Sequence, residues 1–283
     1  MKLEPMNNEI CEMGFTFKPV KNASGQLVHG GTERIGDRLI FSGFPEMIYN
    51  QRGHKIVDLD PIGFNWFWDN NPFVLRDRKV KSTVPLQMIA DKSTFHDSLR
   101  SLPMFTSIVD RMTAYFSLES TIRHPKLYKY EDIKRKPNKV IITTQGNNQG
   151  FMMGETAPRT LPDYVIEKIV ENYKDFEIVQ IGGRDDKRAE GTDDRRGLPI
   201  WKSVREVAES MIYIGVNTGV FHIASAYPHI SKKLILCEYN ENALTYYLPL
   251  NTKNHHSTFL YHSEQFYNVL EKDVGVTYSF NKI

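Results

Sequence analysis

Between residues 139 and 236 the sequence repeats one pattern: a short unbroken apolar run, a turn, then a stretch with apolar residues three or four apart. KVIITTQG, FEIVQIGG, MIYIGV and KLILCE are the apolar runs, and PDYVIEKIVENY, WKSVREVAES and GVFHIASA lie between them. A strand with one wet face alternates apolar and polar residues. A continuous Val/Ile run is buried on both faces. Such strands separated by helices build a parallel sheet covered on both sides. SEQFYNVLEK predicts a further helix near the C-terminus.

The first half shows the same alternation more weakly. FTFKPV (15–20) predicts a strand, and a helix is expected from near Asp37 to Gly53. HKIVDLD (54–60) predicts a strand closed by Pro61, and STVPLQMIA another. FNWFWDNNPFVLRD reads as an aromatic turn around Asn70, Asn71 and Pro72. Phe105, Ile108, Val109, Met112 and Phe116 share one face of a helix over 104–118. EDIKRKPNK is charged and carries a proline, as domain linkers do. A chain of 283 residues exceeds the usual single core. The expectation is two α/β, Rossmann-like domains, 1–134 and 135–283, with a cleft between them. The last helix is free to pack back on the first domain.

A net charge of +2 argues against a nucleic-acid partner. The two cysteines, Cys11 and Cys237, are far apart and suggest a reducing compartment. The N-terminal residues lack the apolar core of a signal peptide, and no apolar stretch is long enough to span a bilayer. A cytoplasmic protein is expected, with attachment to a membrane surface compatible with this reading.

Residues 215–226, GVNTGVFHIASA, turn a strand into a small-residue helix through Asn217, Thr218 and Gly219. Ligands of open α/β sheets bind at the carboxyl ends of strands. A helix N-terminus there offers backbone N–H groups and a partial positive charge. Gly219 permits close approach, Thr218 can donate to a phosphate oxygen, and His222 lies one turn further on. A diphosphate fits this geometry. Taken alone, the segment reads first as an N-cap with a packed histidine.

The same segment resembles the D-[ST]-G-x-x-H-x-A-x-A signature of glycosyltransferase family nine, the heptosyltransferase-like enzymes. Other pieces follow in the family's order: Ile35-Gly36-Asp37, Asn71-Pro72-Phe73-Val74, and Pro125-Lys126-Leu127-Tyr128. Arg159-Thr160-Leu161-Pro162 is similar to its [KR]-x-W-P, with Leu161 in place of tryptophan. Gly182-Gly183-Arg184-Asp185-Asp186 is similar to its G-G-x-x-[DE]. The resemblance implies a GT-B fold. It also implies an inverting transfer that needs no metal and no cofactor, with a nucleoside-diphosphate sugar as donor and a glycan or glycolipid hydroxyl as acceptor.

On that resemblance Asp37 is the expected general base, taking the acceptor's proton as the bond forms. Arg159, with Thr218 and Gly219, would stabilise charge on the departing diphosphate. Gly36, Gly182, Gly183, Asp185, Asp186, Asn217, His222 and Glu238 complete the expected donor set. Asn240 and Tyr246 are placed to meet the base or sugar. His255, His256 and His262 lack partners at ligand spacing and read as surface residues. Asn217 stands where the family has aspartate, which keeps two other readings open. One is a nucleotide-sugar epimerase or hydrolase; the other is a non-catalytic nucleotide-sugar binder or assembly subunit.

Overall fold

The computed structural model describes residues 11–17, 35–60, 66–86, 108–122, 124–146, 160–236 and 257–261. They fall into two compact units. The first holds the elements up to residue 122 together with Leu127–Lys129, and the second begins at Tyr130 and takes in His124–Lys126.

The first unit carries a four-stranded sheet in the order β3-β2-β1-β4, with β1 at Cys11–Thr16, β2 at Ile56–Asp58, β3 at Val74–Leu75 and β4 at Val80–Pro85. All its strand pairs are parallel. β1 begins before the expected position because its N-terminal end pairs with β4, from Cys11 opposite Val80 to Thr16 opposite Pro85. β3 falls in the stretch expected to be a turn, and only Val74 and Leu75 pair, opposite Ile56 and Val57.

The helix expected from Asp37 to Gly53 is broken. α1 spans Ile35–Ile40, a 3₁₀ turn covers Phe41–Gly43, and α2 spans Phe44–Arg52. Pro45 explains the break, since it cannot donate to the carbonyl one turn back. Gly53, at φ 74°, closes α2 in the left-handed conformation and donates to Tyr49 O at 2.8 Å. α3 spans Ile108–Phe116. The core of this unit is aromatic: Phe15 stacks on Phe116 at 5.6 Å and meets Trp68 edge-on at 5.9 Å, while Phe17 meets Phe41 and Phe67.

The second unit carries a six-stranded sheet, β10-β9-β8-β5-β6-β7. Its strands are β5 (Lys139–Thr143), β6 (Glu177–Gln180), β7 (Asp193–Asp194), β8 (Ile212–Gly215), β9 (Ser231–Leu236) and β10 (Ser257–Tyr261). All pair in parallel, as the unbroken apolar runs predict. β7 is a two-residue edge strand, where polar residues are tolerated. α4 (Asp163–Asn172), α5 (Ile200–Ala208) and α6 (Gly219–Ser225) are the expected helices. Val165, Ile166 and Ile169 of α4 pack on Val140, Ile142, Ile178 and Ile214.

A buried ion cluster ties α5 to the amino end of β5. Lys139 is fully buried, and its Nζ pairs with Glu206 and with Glu209 at 3.2 Å. Among the described residues no helix is long and apolar enough to cross a membrane.

Candidate functional site

The order of the second sheet decides where a ligand would sit. From β5 the chain adds β6 and β7 on one side, then crosses to β8, β9 and β10 on the other. The loops leaving β5 and β8 therefore part in opposite directions, and such switch points open a crevice at the carboxyl ends of the strands. Thr143 ends β5 opposite Gly215, which ends β8. Asn217, Thr218 and Gly219 follow immediately.

Thr218 is the N-cap of α6, with extended backbone (φ −139°, ψ 175°), and its Oγ1 accepts from the Val220 N–H at 3.2 Å. Asn217 is buried. Beneath the turn lies a hydroxyl cluster. The Tyr213 hydroxyl donates to Val216 O at 2.7 Å and lies 2.6 Å from Thr143 Oγ1. Its one hydrogen goes to the carbonyl, so Thr143 donates to it. What the turn offers an anion is the Thr218 hydroxyl and backbone N–H of the first helical turn. His222, in the second turn, is buried, with its N–H toward Thr218 O at 3.4 Å.

On the other side of β5, the Gly182-Gly183 turn is closed by Asp186, whose Oδ2 accepts the Gly183 N–H at 2.7 Å. Burial raises the Asp186 carboxyl above the ordinary carboxylate range, against the lowering effects of the Gly183 hydrogen bond and Arg196. A Cβ on Gly182 would lie 2.2 Å from that carboxylate, so the clasp requires glycine. Asp185 is exposed beside it.

The charged segment that follows is held from below by Gln180, which is fully buried. Gln180 Nε2 donates to Lys187 O at 2.7 Å and to Thr144 Oγ1 at 3.0 Å. Its Oε1 accepts from the Ala189 N–H at 2.8 Å and from Arg188 at 3.0 Å. Lys187 Nζ reaches Leu161 O at 3.0 Å and pairs with Asp163, bringing a cation to the start of α4. Sequence reasoning missed Thr143, Thr144, Gln180, Lys187 and Tyr213. The usable signal was a single polar residue inside or ending an apolar run, as in FEIVQ and KVIITT.

The expected residues thus divide. Gly182, Gly183, Asp185 and Asp186 share one loop, and Asn217, Thr218, Gly219 and His222 share another, both at the carboxyl end of one sheet. Gly36 and Asp37 lie in α1 of the first unit, with the Asp37 side chain outside the described residues. Arg159, Cys237, Glu238, Asn240, Tyr246, His255, His256, His262 and the expected C-terminal helix also lie outside them.

No protein-family model matches the chain. No curated protein matches it either. Solved structures do. A glycosyltransferase family 9 protein from Veillonella parvula superposes with a TM-score of 0.57 over 94% of this chain and 90% of its own, at 10% identity. The chain has the fold of a family 9 glycosyltransferase. TibC of enterotoxigenic E. coli, described as a dodecameric iron-containing glycosyltransferase, superposes with a TM-score of 0.52 at 12% identity, covering 80% of this chain and 59% of that one. A structure of TibC with ADP-D-beta-D-heptose gives 0.51 at 14% identity, covering 75% and 58%. The chain thus spans less than two thirds of TibC. The GT-B fold expected from the motifs is therefore met by structures too distant for sequence comparison. Among the described residues of this chain, no group of three His, Cys, Asp or Glu side chains is gathered as metal ligands would be.

Proposed function

We propose that the chain is a glycosyltransferase that moves a sugar from a nucleoside-diphosphate donor to a hydroxyl of a glycan or glycolipid. One observation carries the reading: the Asn217–Gly219 turn and the Gly182–Asp186 clasp stand on either side of β5, at the switch point of a parallel sheet. The fold shared with glycosyltransferases supports it.

In this reading the diphosphate lies against the first turn of α6. Backbone N–H groups there, with the Arg159 guanidinium, take up the charge that grows as the sugar–phosphate bond breaks. Asp37 removes the acceptor proton while the acceptor oxygen bonds to the anomeric carbon from the face opposite the departing diphosphate, so the centre inverts. No step requires a metal. Asp185, exposed beside the clasp, is available to the donor's hydroxyls. An adenine donor is the first to test, because the TibC structure holds an ADP-linked heptose.

Calorimetric titration with ADP, GDP, UDP and CMP, without metal, tests the donor site. One of them should bind selectively, and Thr218→Val should weaken it about fivefold to tenfold through loss of the cap. Mass spectrometry of reactions with the matching nucleotide sugar and a glycan panel then tests transfer. Asp37→Asn should abolish transfer and leave nucleotide binding intact; full activity in that variant would remove Asp37 as the base. Asn217, an amide where the family has a carboxylate, favours one second reading, a nucleotide-sugar binder without turnover. Binding with no transfer to any acceptor would establish it.

A further inference from the structure

We propose that Tyr213 is a positioning residue for the Asn217–Gly219 turn: its hydroxyl orients the Val216–Asn217 peptide and so aims the backbone at the start of α6. The assignment rests on the reading that this turn holds the diphosphate of the donor.

Side chains along a strand point alternately to the two faces of its sheet. In β8 and the residue after it, Ile212, Ile214 and Val216 pack into the core under α4. Tyr213 and Gly215 face the other side, where the Tyr213 ring meets Phe221 of α6 at 5.9 Å. Gly215 lies two residues beyond Tyr213 on that face and carries no side chain. Thr143, at the end of β5, stands opposite Gly215 and fills the space: a Cβ on Gly215 would collide with Thr143 Oγ1. The missing side chain lets Thr143 Oγ1 and the Tyr213 hydroxyl approach to 2.6 Å.

The hydroxyl has two partners with different effects. Thr143 donates to it, which ties it to β5 and leaves its own hydrogen for Val216 O, 2.7 Å away. Val216 precedes Asn217, so the bonded carbonyl belongs to the peptide that opens the turn. In a trans peptide the carbonyl and the N–H point opposite ways. With Val216 O drawn toward Tyr213, the Asn217 N–H is directed away from that hydroxyl. The plane of this peptide sets the path of Thr218 and Gly219 into α6. One side chain thus touches β5, the entry peptide of the turn and α6. These three parts must hold their relative places if the N–H groups of the first helical turn are to converge on an anion. Tyr213 is fully buried, so it acts through the backbone and does not meet the ligand itself. Phenylalanine would fill the same space and keep the contact with Phe221; the hydroxyl adds the direction of the peptide.

The test compares nucleoside diphosphates with their nucleosides on the full chain: ADP, GDP and UDP by direct titration, and adenosine, guanosine and uridine by displacement of the diphosphate that binds. The nucleoside reads the base and ribose; the difference between the two reads the diphosphate alone. Tyr213→Phe should weaken the diphosphate by about threefold to tenfold, the worth of one hydrogen bond, and its nucleoside by less than about twofold. Thr143→Val should weaken the diphosphate in the same sense, and Thr143→Ser, which keeps the hydroxyl, should retain the native affinity. Both residues act through one bond to Val216, so the double variant Tyr213→Phe, Thr143→Val should bind little more weakly than Tyr213→Phe alone. Equal losses for diphosphate and nucleoside would mean a role in packing only and overturn the proposal, as would unchanged diphosphate binding in Tyr213→Phe. If that variant does not fold, Thr143→Val against Thr143→Ser decides by the same split. A native chain that binds none of the three diphosphates sinks the donor site and, with it, the part given to Tyr213. Native binding that the variants leave unchanged sinks Tyr213 alone.

Discussion

Gly215 and Thr143 face each other where β8 and β5 end, and a Cβ on Gly215 would lie 2.2 Å from Thr143 Oγ1 and 2.4 Å from its carbonyl oxygen. The carbonyl cannot yield without moving β5. Gly215→Ala is therefore expected to cost about 1–3 kcal/mol, read from the denaturant midpoint. Gly182→Ala meets only the far end of the Asp186 side chain, which can swing aside, so its cost should be smaller. Tyr213, beneath the same turn, supplies a pH prediction. Burial holds its hydroxyl well above the ordinary 10.0, against the opposing hydrogen bonds with Thr143 and Thr218. The unfolded chain releases that proton near pH 10 and the folded chain only at higher pH. The associated stability is present below pH 10 and lost as pH rises beyond it. Tyr213→Phe should flatten part of the alkaline fall in unfolding free energy. Part will remain, because burial raises Tyr227 too.

At the scale of elements, the segment from Arg184 to Arg196 looks like a solvated charged loop in sequence and is a fixed structure in fact. Gln180 makes the difference with four hydrogen bonds from the end of β6. Gln180→Leu keeps the volume and removes all four. It should cost about 2–4 kcal/mol and speed amide exchange in Lys187–Thr192 while leaving α4 protected. The strands β5, β6, β8 and β9 were legible because burial on both faces writes an unbroken apolar run. The helices between them were legible from their period. β3 and β7 were not, because two-residue edge strands have no pattern of their own; their neighbours in the sheet define them. The single helix read across Pro45 shows the converse error, where period outweighed a missing backbone donor. Of the site, the two glycine turns could be seen in sequence because they follow strands directly. Thr144 and Gln180 left only the mark of a polar residue at the end of an apolar run, and Tyr213 was hidden because its hydrogen-bond partner lies far along the chain.

At the scale of the molecule, each unit has its own sheet and its own buried core, one aromatic and one aliphatic. Scanning calorimetry should show that a nucleoside diphosphate at a hundred times its Kd stabilises the second unit by about 2.7 kcal/mol. If the units melt separately, only one transition should move. A nucleotide that moved only the other transition would contradict this placement of the donor site. Every named strand pair in both sheets is parallel. Neither sheet can therefore begin as a hairpin, and each strand must wait for a long crossover to close before it finds its neighbour. The route to the native state is slow for that reason, with sticky Val/Ile runs open to other chains meanwhile, so recovery from denaturant should fall steeply as the protein is made more concentrated.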